Sequence, residues 1–141
     1  MSYSLTEMKD NEFKLFDDIK DLNSSLSKRD TKHILYCDNE PKGYFIIKVI
    51  SQMNEFKLGN LLFDFNDSLN ETILMDLIND YLHTQIIDNY VLKIITSINI
   101  QETNKIELLK KLGFIEDLKA KEIDGYLNMK LTKPIYLERN K

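Results

Sequence analysis

Near the C-terminal end of the sequence stands Leu108-Leu109-Lys110-Lys111-Leu112-Gly113-Phe114, the segment that says most about the architecture. Apolar residues at Ile106, Leu109 and Leu112 recur every three residues, which indicates one inward helix face within 100–112. The glycine that follows is a common helix stop, because glycine adopts the left-handed conformation without steric strain. The segment therefore predicts a helix that ends at Leu112 and a strand that begins at Phe114.

Outward from this junction the chain alternates between strand-like and helix-like patterns, with turns formed mostly by Asn and Asp. The patterns predict strands at 2–8, 32–37, 44–50, 55–65, 90–96, 114–123 and 126–132, and helices at 11–26, 71–83 and 100–112. Turn-forming residues fill 38–43, and Asp124-Gly125 is a typical hairpin dipeptide. The last segment, 134–141, is expected to form a loose tail.

The order of these elements predicts the topology. The helix at 71–83 joins the strand at 55–65 to the strand at 90–96, and a right-handed crossover places these two strands side by side and parallel. The three strands before that helix form an antiparallel meander. The expected fold class is α/β, a single domain over 1–141 with a mixed sheet and helices on both faces.

Composition excludes several classes of protein. The chain has 141 residues, of which 43% are hydrophobic and 30% are charged, as is ordinary for a soluble globular protein. Cys37 is the one cysteine, so no intramolecular disulfide can form. The formal net charge of −4 disfavours nucleic acid as a partner. No run of about 18 apolar residues occurs, so no membrane partner is expected.

Residue usage also bears on location and origin. The N-terminal residues include acids where a signal peptide needs a basic and then an apolar run, so a cytoplasmic location is expected. Arg29 and Arg139 are the only arginines and Ala120 is the only alanine, a bias typical of an AT-rich, bacterial genome. The abundant Lys and Asn therefore do not indicate a binding surface.

The element order and the junction at Gly113 resemble the GNAT superfamily of N-acetyltransferases. The family's junction reads L-Y-E-K-L-G-F, and residues 108–114 read L-L-K-K-L-G-F. The resemblance implies a GNAT-like fold whose fourth and fifth strands splay apart. It also implies an acyl-coenzyme A dependent N-acetyltransferase with acetyl-CoA as cofactor. The acceptor would be a small-molecule or peptide amine of unknown identity, and a homodimer is compatible with this interpretation.

In the family a [Q/R]-x-x-G-x-[G/A] loop binds the coenzyme A pyrophosphate through backbone N–H groups at a helix start. The resemblance places on this loop Phe65, Asn66, Asp67, Ser68, Leu69 and Asn70. Phe65 replaces the Gln or Arg, Ser68 and Asn70 replace the glycines, and Asp67 and Glu71 add negative charge. The same residues also fit an ordinary polar loop with Asn70 as a helix N-cap. If the alignment holds, Asp67→Gly is expected to tighten cofactor binding.

The sequence does not assign the catalytic residues. The family's proton-donating Tyr aligns with Leu109, which cannot exchange a proton. The Asn that contacts pantetheine has two candidates, Asn99 and Asn104, of which Asn104 joins the candidate cofactor-binding set. Glu55 and Asp64 flank the strand where family members place a carboxylate that handles the amine proton. Two functions stay open: an N-acetyltransferase, and a catalytically inactive GNAT-like module that binds a protein or small ligand.

No metal-binding or nucleophile motif is present. His33 and His83 each stand alone, so no metal site is expected. Cys37 is expected to be a buried, inert thiol and His33 to be exposed. Acidic runs at 17–21 and 102–107 are expected on solvated helix faces. In the family the first helix borders the acceptor pocket, so acids at 17–21 would suit an amine-bearing acceptor.

Overall fold

The structure, a computed structural model, describes residues 2–141. Within these residues the strands are β1 (Tyr3–Glu7), β2 (Thr31–Cys37), β3 (Glu40–Met53), β4 (Phe56–Phe65), β5 (Val91–Asn99), β6 (Ile115–Glu116) and β7 (Tyr126–Thr132). The α-helices are α1 (Glu71–His83), α2 (Thr103–Leu112) and α3 (Lys133–Arg139). A π-helical turn, Thr84–Asp88, extends α1.

The strands form one mixed sheet in the order β1-β2-β3-β4-β5-β7-β6. β4 and β5 are parallel, as the crossover rule predicts, and the other neighbouring pairs are antiparallel. The parallel ladder runs from Lys57 opposite Val91 to Asn60 opposite Ile95 and then ends. Beyond Asn60 the two strands diverge, which opens a cleft between the second half of β4 and the end of β5.

A buried hydroxyl bridges the point of divergence. The Thr96 Oγ1 donates to the Leu61 carbonyl oxygen at 2.8 Å, and Thr96 is buried. The side chain thus replaces the next hydrogen bond that a continued β4–β5 ladder would have supplied.

Replacing Thr96 by valine is expected to lower the free energy of unfolding by about 2 kcal/mol, because the Leu61 carbonyl is left buried without a donor. Urea denaturation followed by circular dichroism measures the change. The matched control is Ser97→Ala, whose exposed hydroxyl contacts Asn128 and whose loss is expected to cost about 0.5 kcal/mol or less. Equal stability of the Thr96→Val and wild-type proteins would show that the bridge contributes nothing.

The sheet buries apolar side chains on both faces. One face packs on α1, α2 and α3, in a core that includes Phe45, Leu82, Ile94 and Met129. The opposite face holds a smaller cluster made by Met8, Phe13, Ile19, Ile34, Tyr44 and Ile46. The α-helices therefore cover one face, and short 3-10 turns of the segment after β1 cover the other.

The predicted helix at 11–26 is wrong. The segment forms three 3-10 turns, Asp10–Leu15, Asp17–Ile19 and Asn23–Ser25, interrupted by Phe16 in an extended conformation. The inward residues are Phe13, Phe16, Ile19 and Leu22, whose spacing of three matches the three residues per turn of a 3-10 helix. The Ser25 hydroxyl donates to the Leu22 carbonyl at 2.8 Å and so competes with an α-helical ladder.

The predicted turn at 38–43 is shorter in the structure. Asp38 and Asn39 form a two-residue hairpin with φ of 52° and 68°, the pair of positive values that a type I′ turn requires. Pro41 and Gly43 consequently lie in β3, where Lys42 between them is the extra residue of a bulge opposite Leu35 and Tyr36 of β2. Short polar side chains allow this tight turn, so the hairpin needs no glycine at its tip.

Two predictions near the C-terminus are also wrong. The strand expected over 114–123 is limited to Ile115–Glu116, and 117–125 is irregular. Leu118 and Ile123 are exposed there, so no buried face holds the segment in a ladder. The segment 134–141 was expected to be a loose tail, but most of it belongs to α3. Pro134 lies in the first turn of this helix, and the Tyr136 side chain is buried in the core.

Candidate functional site

The edge of β4 supplies a main-chain donor to the cleft. Asn66 N–H donates toward β3, to the Lys42 carbonyl, whereas the Leu61 carbonyl faces β5 and accepts from Thr96. Because main-chain groups of alternate strand residues point the same way, the N–H and carbonyl of Phe63 face the β5 side. β5 has already diverged at this level, so these groups face the cleft.

A cavity of about 420 Å³ fills the cleft on the side of Tyr44. Phe63, Asn99, Glu102 and Tyr126 are among the residues that line it. Burial, together with the negative charges of Asp18, Asp64 and Glu102, raises the pKa of Tyr44 to about 12. At neutral pH the Tyr44 hydroxyl is therefore a protonated hydrogen-bond donor.

A second cavity, of about 300 Å³, lies beside the loop between β4 and α1. Five of the seven candidate cofactor-binding residues line it: Phe65, Asn66, Asp67, Leu69 and Asn104. Ser68 and Asn70 do not line this cavity. Asn70 caps α1, with its Oδ1 accepting from the Ile73 N–H at 3.1 Å, and Ser68 bonds the Asn66 side chain.

Most main-chain N–H groups of the loop between β4 and α1 already donate hydrogen bonds within the protein. Asn66 N–H donates to the Lys42 carbonyl, and Leu69 N–H donates to the Asn66 carbonyl. Ser68 N–H donates to Asn66 Oδ1 at 2.9 Å, and Asn70 N–H donates to the Tyr3 hydroxyl at 2.8 Å. Among the described residues, the N–H groups of Asp67, Glu71 and Thr72 are what remains for an anion, because the Asn70 side chain already accepts from the Ile73 N–H.

A buried lysine joins the loop to α2 across the cleft. The Lys105 Nζ lies 3.3 Å from Asp64 Oδ1, 3.3 Å from Asp67 Oδ1 and 3.4 Å from Glu102 Oε1. It also lies 5.1 Å from the centre of the Phe65 ring. Burial by itself lowers the pKa of Lys105, but the charges of Asp64 and Glu102 outweigh it and the pKa is raised. Lys105 is thus a permanent cation at neutral pH.

The second acid of the loop is paired as well. Glu71 Oε1 lies 2.6 Å from Lys111 Nζ, on the exposed rim of the 300 Å³ cavity. A hydrogen bond from Lys111 to Glu71 raises the pKa of Lys111. The negative charges of Asp67 and Glu71 are therefore partly compensated by two lysines of α2.

Solved structures share this architecture over almost the whole chain. Mutant forms of a spermidine/spermine N-acetyltransferase from Vibrio cholerae match with a TM-score of 0.70 at 13% identity, covering 99% of this chain and 100% of that one. The chain has the GNAT fold. An aminoglycoside acetyltransferase in complex with coenzyme A and kanamycin matches with a TM-score of 0.69 at 16% identity, covering 99% and 100%.

A further match is an acetyltransferase of the GNAT family from Streptococcus pneumoniae, with a TM-score of 0.66 at 10% identity, covering 93% and 99%. No protein-family model matches the sequence, and no curated protein matches it either. The likeness to GNAT proteins is therefore one of fold, and it agrees with the resemblance that the junction at Gly113 indicates.

Within the GNAT fold, the two carboxylates expected near the acceptor lie far apart. Glu55 stands in the turn between β3 and β4, at the far end of β4 from the loop. Asp64 lies at the cleft end of the same strand, where Oδ1 accepts from Phe65 N–H at 2.9 Å. Only Asp64 of this pair belongs to the candidate site.

Glu102 and Lys105 are residues that the sequence analysis assigned to no site. Glu102 directly precedes α2 and lines the 420 Å³ cavity, although its run 102–107 was expected on a solvated face. Its position could have been found from the position of β5, because ligands of open α/β sheets bind beyond the carboxyl ends of strands. Nothing in the sequence indicates that Lys105 belongs to the site, since it is one of several lysines in the same helix.

The remaining candidates lie outside the cleft. Leu109, at the position of the family's Tyr, is buried in the core. Cys37 is buried, as expected. His33 was expected to be exposed but is half-buried, with its ring 4.9 Å from that of Tyr81, and this burial lowers its pKa.

Among residues 2–141, no three His, Cys, Asp or Glu side chains are grouped so as to hold a metal ion. Over the same residues, no helix has both the length and the apolar character needed to cross a bilayer.

Proposed function

We propose that the protein is an acyl-coenzyme A dependent N-acetyltransferase that acts on an amine. The observation that carries this proposal is the cleft beyond Asn60, where the Phe63 main chain faces a cavity bordered by Glu102. An N–H donor aimed at a carbonyl oxygen and a carboxylate beside an amine are what aminolysis of a thioester requires. The GNAT fold supports the same reaction class, because the matched structures include N-acetyltransferases and one complex with coenzyme A.

The two cavities would bind different parts of the reactants. Acetyl-CoA, when bound, supplies the acyl group as a thioester. The loop residues around the 300 Å³ cavity and the first-turn N–H groups of α1 would hold its phosphates. Phe63 N–H would donate to the thioester carbonyl oxygen and stabilise the negative charge that develops there. Positioning of both reactants in one cleft would supply much of the rate.

Glu102 is the proposed proton acceptor for the amine. It lines the acceptor-side cavity, and its Oε1 lies 3.4 Å from the Lys105 Nζ. Asp64 is a poorer choice, because its Oδ1 is shared by Lys105 and the Phe65 N–H. The amine would arrive protonated, lose one proton to Glu102 and then attack the thioester carbonyl carbon. The C–S bond would break as the amide bond forms, and the second proton lost by the nitrogen would leave with coenzyme A as its free thiol.

The second candidate function is a GNAT-like module that binds without catalysis. The buried Leu109 favours it, since no hydroxyl stands at the family's acid position to protonate the departing thiolate. The internal hydrogen bonds of Asn66, Ser68, Leu69 and Asn70 favour it too, because they reduce the main-chain donors available to phosphate.

Calorimetry with acetyl-CoA, followed by a thiol-release assay with a panel of amines, separates these functions. Binding together with amine-dependent release of coenzyme A would support the enzyme. Binding without release over the whole panel would support the inactive module. No heat and no thermal shift at millimolar acetyl-CoA would overturn the proposed N-acetyltransferase.

Substituting Asp67 by glycine is expected to tighten acetyl-CoA binding about fivefold, because it removes one negative charge facing the phosphates. Lys105 keeps its ion pairs with Asp64 and Glu102, so the substitution does not leave the buried ammonium group unpaired. Isothermal titration at two salt concentrations measures the effect, which should shrink at high salt. Weaker binding by Asp67→Gly would mean that the loop does not hold the phosphates.

A further inference from the structure

Lys105 is a buried cation of the cleft, and the proposed transfer gives it no direct role. Its side chain is 7% exposed. Lysine is almost never buried to this degree unless it is paired, because its charge must be removed from water. Within residues 2–141, Lys105 is among the lining residues of neither the 300 Å³ nor the 420 Å³ cavity. It can therefore affect a bound reactant only through the side chains that it contacts.

The three carboxylate partners of Lys105 come from different parts of the chain. Asp64 lies near the end of β4, Asp67 lies in the loop that follows, and Glu102 directly precedes α2. Asp67 lines the 300 Å³ cavity, whereas Glu102 lines the 420 Å³ cavity. A single ammonium group thus contacts one wall residue of each cavity.

The Lys105 ammonium group, rather than close packing, positions these carboxylates. An ammonium group has three N–H donors, which matches the three carboxylate oxygens that lie 3.3 Å, 3.3 Å and 3.4 Å from Nζ. The side chains of Asp64, Asp67 and Glu102 are 47%, 60% and 44% exposed, so water reaches each of them. Removal of the Lys105 charge would therefore release both wall residues into solvent without leaving a buried, unpaired carboxylate.

We propose that Lys105 is a positioning residue shared by the two cavities, which holds Asp67 on the cofactor side and Glu102 on the acceptor side with one charge. On the cofactor side, the ammonium group compensates a negative charge that would otherwise face the phosphates. On the acceptor side, it keeps the Glu102 carboxylate where the amine must give up its proton. This inference rests on the proposed function for its effect on transfer, but the hold on the two carboxylates can be measured without any ligand.

A ligand-free experiment tests that hold on the full chain. Asp67→Asn and Glu102→Gln are each made in the wild-type and in the Lys105→Met protein, and urea denaturation gives the folding equilibrium constant. We expect the effect of each substitution to differ about fivefold between the two backgrounds. The carboxylate attracts the ammonium group in the wild-type protein and only repels its neighbours in Lys105→Met. Equal effects in the two backgrounds would overturn the proposal.

Activity measurements then separate the two sides of the cleft. Lys105→Met is expected to weaken acetyl-CoA binding about fivefold, because the charge of Asp67 is no longer compensated. It should also lower kcat for an amine about tenfold, because Glu102 is no longer held in place. Adding Asp67→Asn to Lys105→Met should restore the acetyl-CoA affinity but not kcat, a split that a general loss of stability cannot produce. Wild-type affinity and kcat in Lys105→Met would overturn the proposal.

Lys130→Met is the matched control, since it removes another partly buried lysine. The Lys130 Nζ lies 3.7 Å from Asp117 Oδ1, and the Asp117 side chain is 9% exposed. Within residues 2–141 neither of these residues lines the 300 Å³ or the 420 Å³ cavity. Lys130→Met should therefore lose stability and keep both acetyl-CoA affinity and kcat. If Lys105→Met does not fold, Asp64→Asn is added to every variant, which removes one of the three mutually repelling carboxylates.

The outcome is distinct from that of the acetyl-CoA experiment. Stability effects that depend on Lys105, without acetyl-CoA binding, would support the hold on the two carboxylates and overturn the transfer reaction. Acetyl-CoA binding and transfer with stability effects that do not depend on Lys105 would do the reverse.

Discussion

Glu102→Gln is expected to lower kcat/KM for acetylation of an amine by about 100-fold or more, the usual effect of losing a general base. The amide keeps the shape of the side chain but cannot take the proton that the amine must lose. A thiol-release assay across pH measures the loss. Raising the pH should recover part of the rate, because a growing share of the amine then arrives already deprotonated.

Two controls separate this chemical effect from a structural one. Acetyl-CoA affinity of Glu102→Gln should be unchanged, since the 300 Å³ cavity does not include Glu102. Glu138→Gln, on α3 and paired with Lys141, removes a carboxylate remote from the cleft and should keep full activity. A Glu102→Gln protein within threefold of wild-type activity would remove Glu102 from the mechanism.

Gly43→Val is expected to lower the free energy of unfolding by about 3 kcal/mol, at the upper end of overpacking effects. A Cβ atom at Gly43 would lie 2.5 Å from the Asp64 carbonyl oxygen and 2.8 Å from Phe65 Cβ. Because the obstacle is largely backbone, β3 and β4 must separate near Phe65, at the cleft end of β4. Urea denaturation measures the stability.

The same substitution tests whether strand spacing positions the site. Displacing Asp64 should loosen its 3.3 Å contact with Lys105 and lower kcat/KM for the amine in parallel with stability. Ser51→Val, at an exposed position of the same strand, is the control and should change stability by about 0.5 kcal/mol or less. If Gly43→Val matched this control, the close approach of the strands would have no energetic importance.

Local patterns in the sequence were sufficient for much of the fold. Gly113 does follow α2 in a left-handed conformation, with φ of 109°, because few other residues adopt that geometry cheaply. The parallel pairing of β4 and β5 follows from the handedness of a single crossover. The helix predicted at 11–26 was wrong, because apolar residues three apart suit both a 3-10 and an α-helical face over so short a run.

The candidate site, like the fold, could be predicted only in part from the sequence. Loop residues 65–70 and Asn104 could be nominated because they stand at fixed offsets from helix boundaries, and five of them do lie around one cavity. Asn70 as N-cap was also accessible, since capping involves only neighbours in the chain. Whether these residues hold coenzyme A stays a prediction.

The composition and order of the chain were enough to establish an α/β domain with a parallel pair at its centre, because periodicity, capping and crossover handedness are local properties. Tertiary structure alone decided that Lys105 compensates Asp64 and Asp67, which precede it by 41 and 38 residues. It alone decided that Tyr44 is buried and that the charges of Asp18, Asp64 and Glu102 act on its hydroxyl. Charge interactions depend on distance in space and on burial, and neither can be read from spacing along the chain.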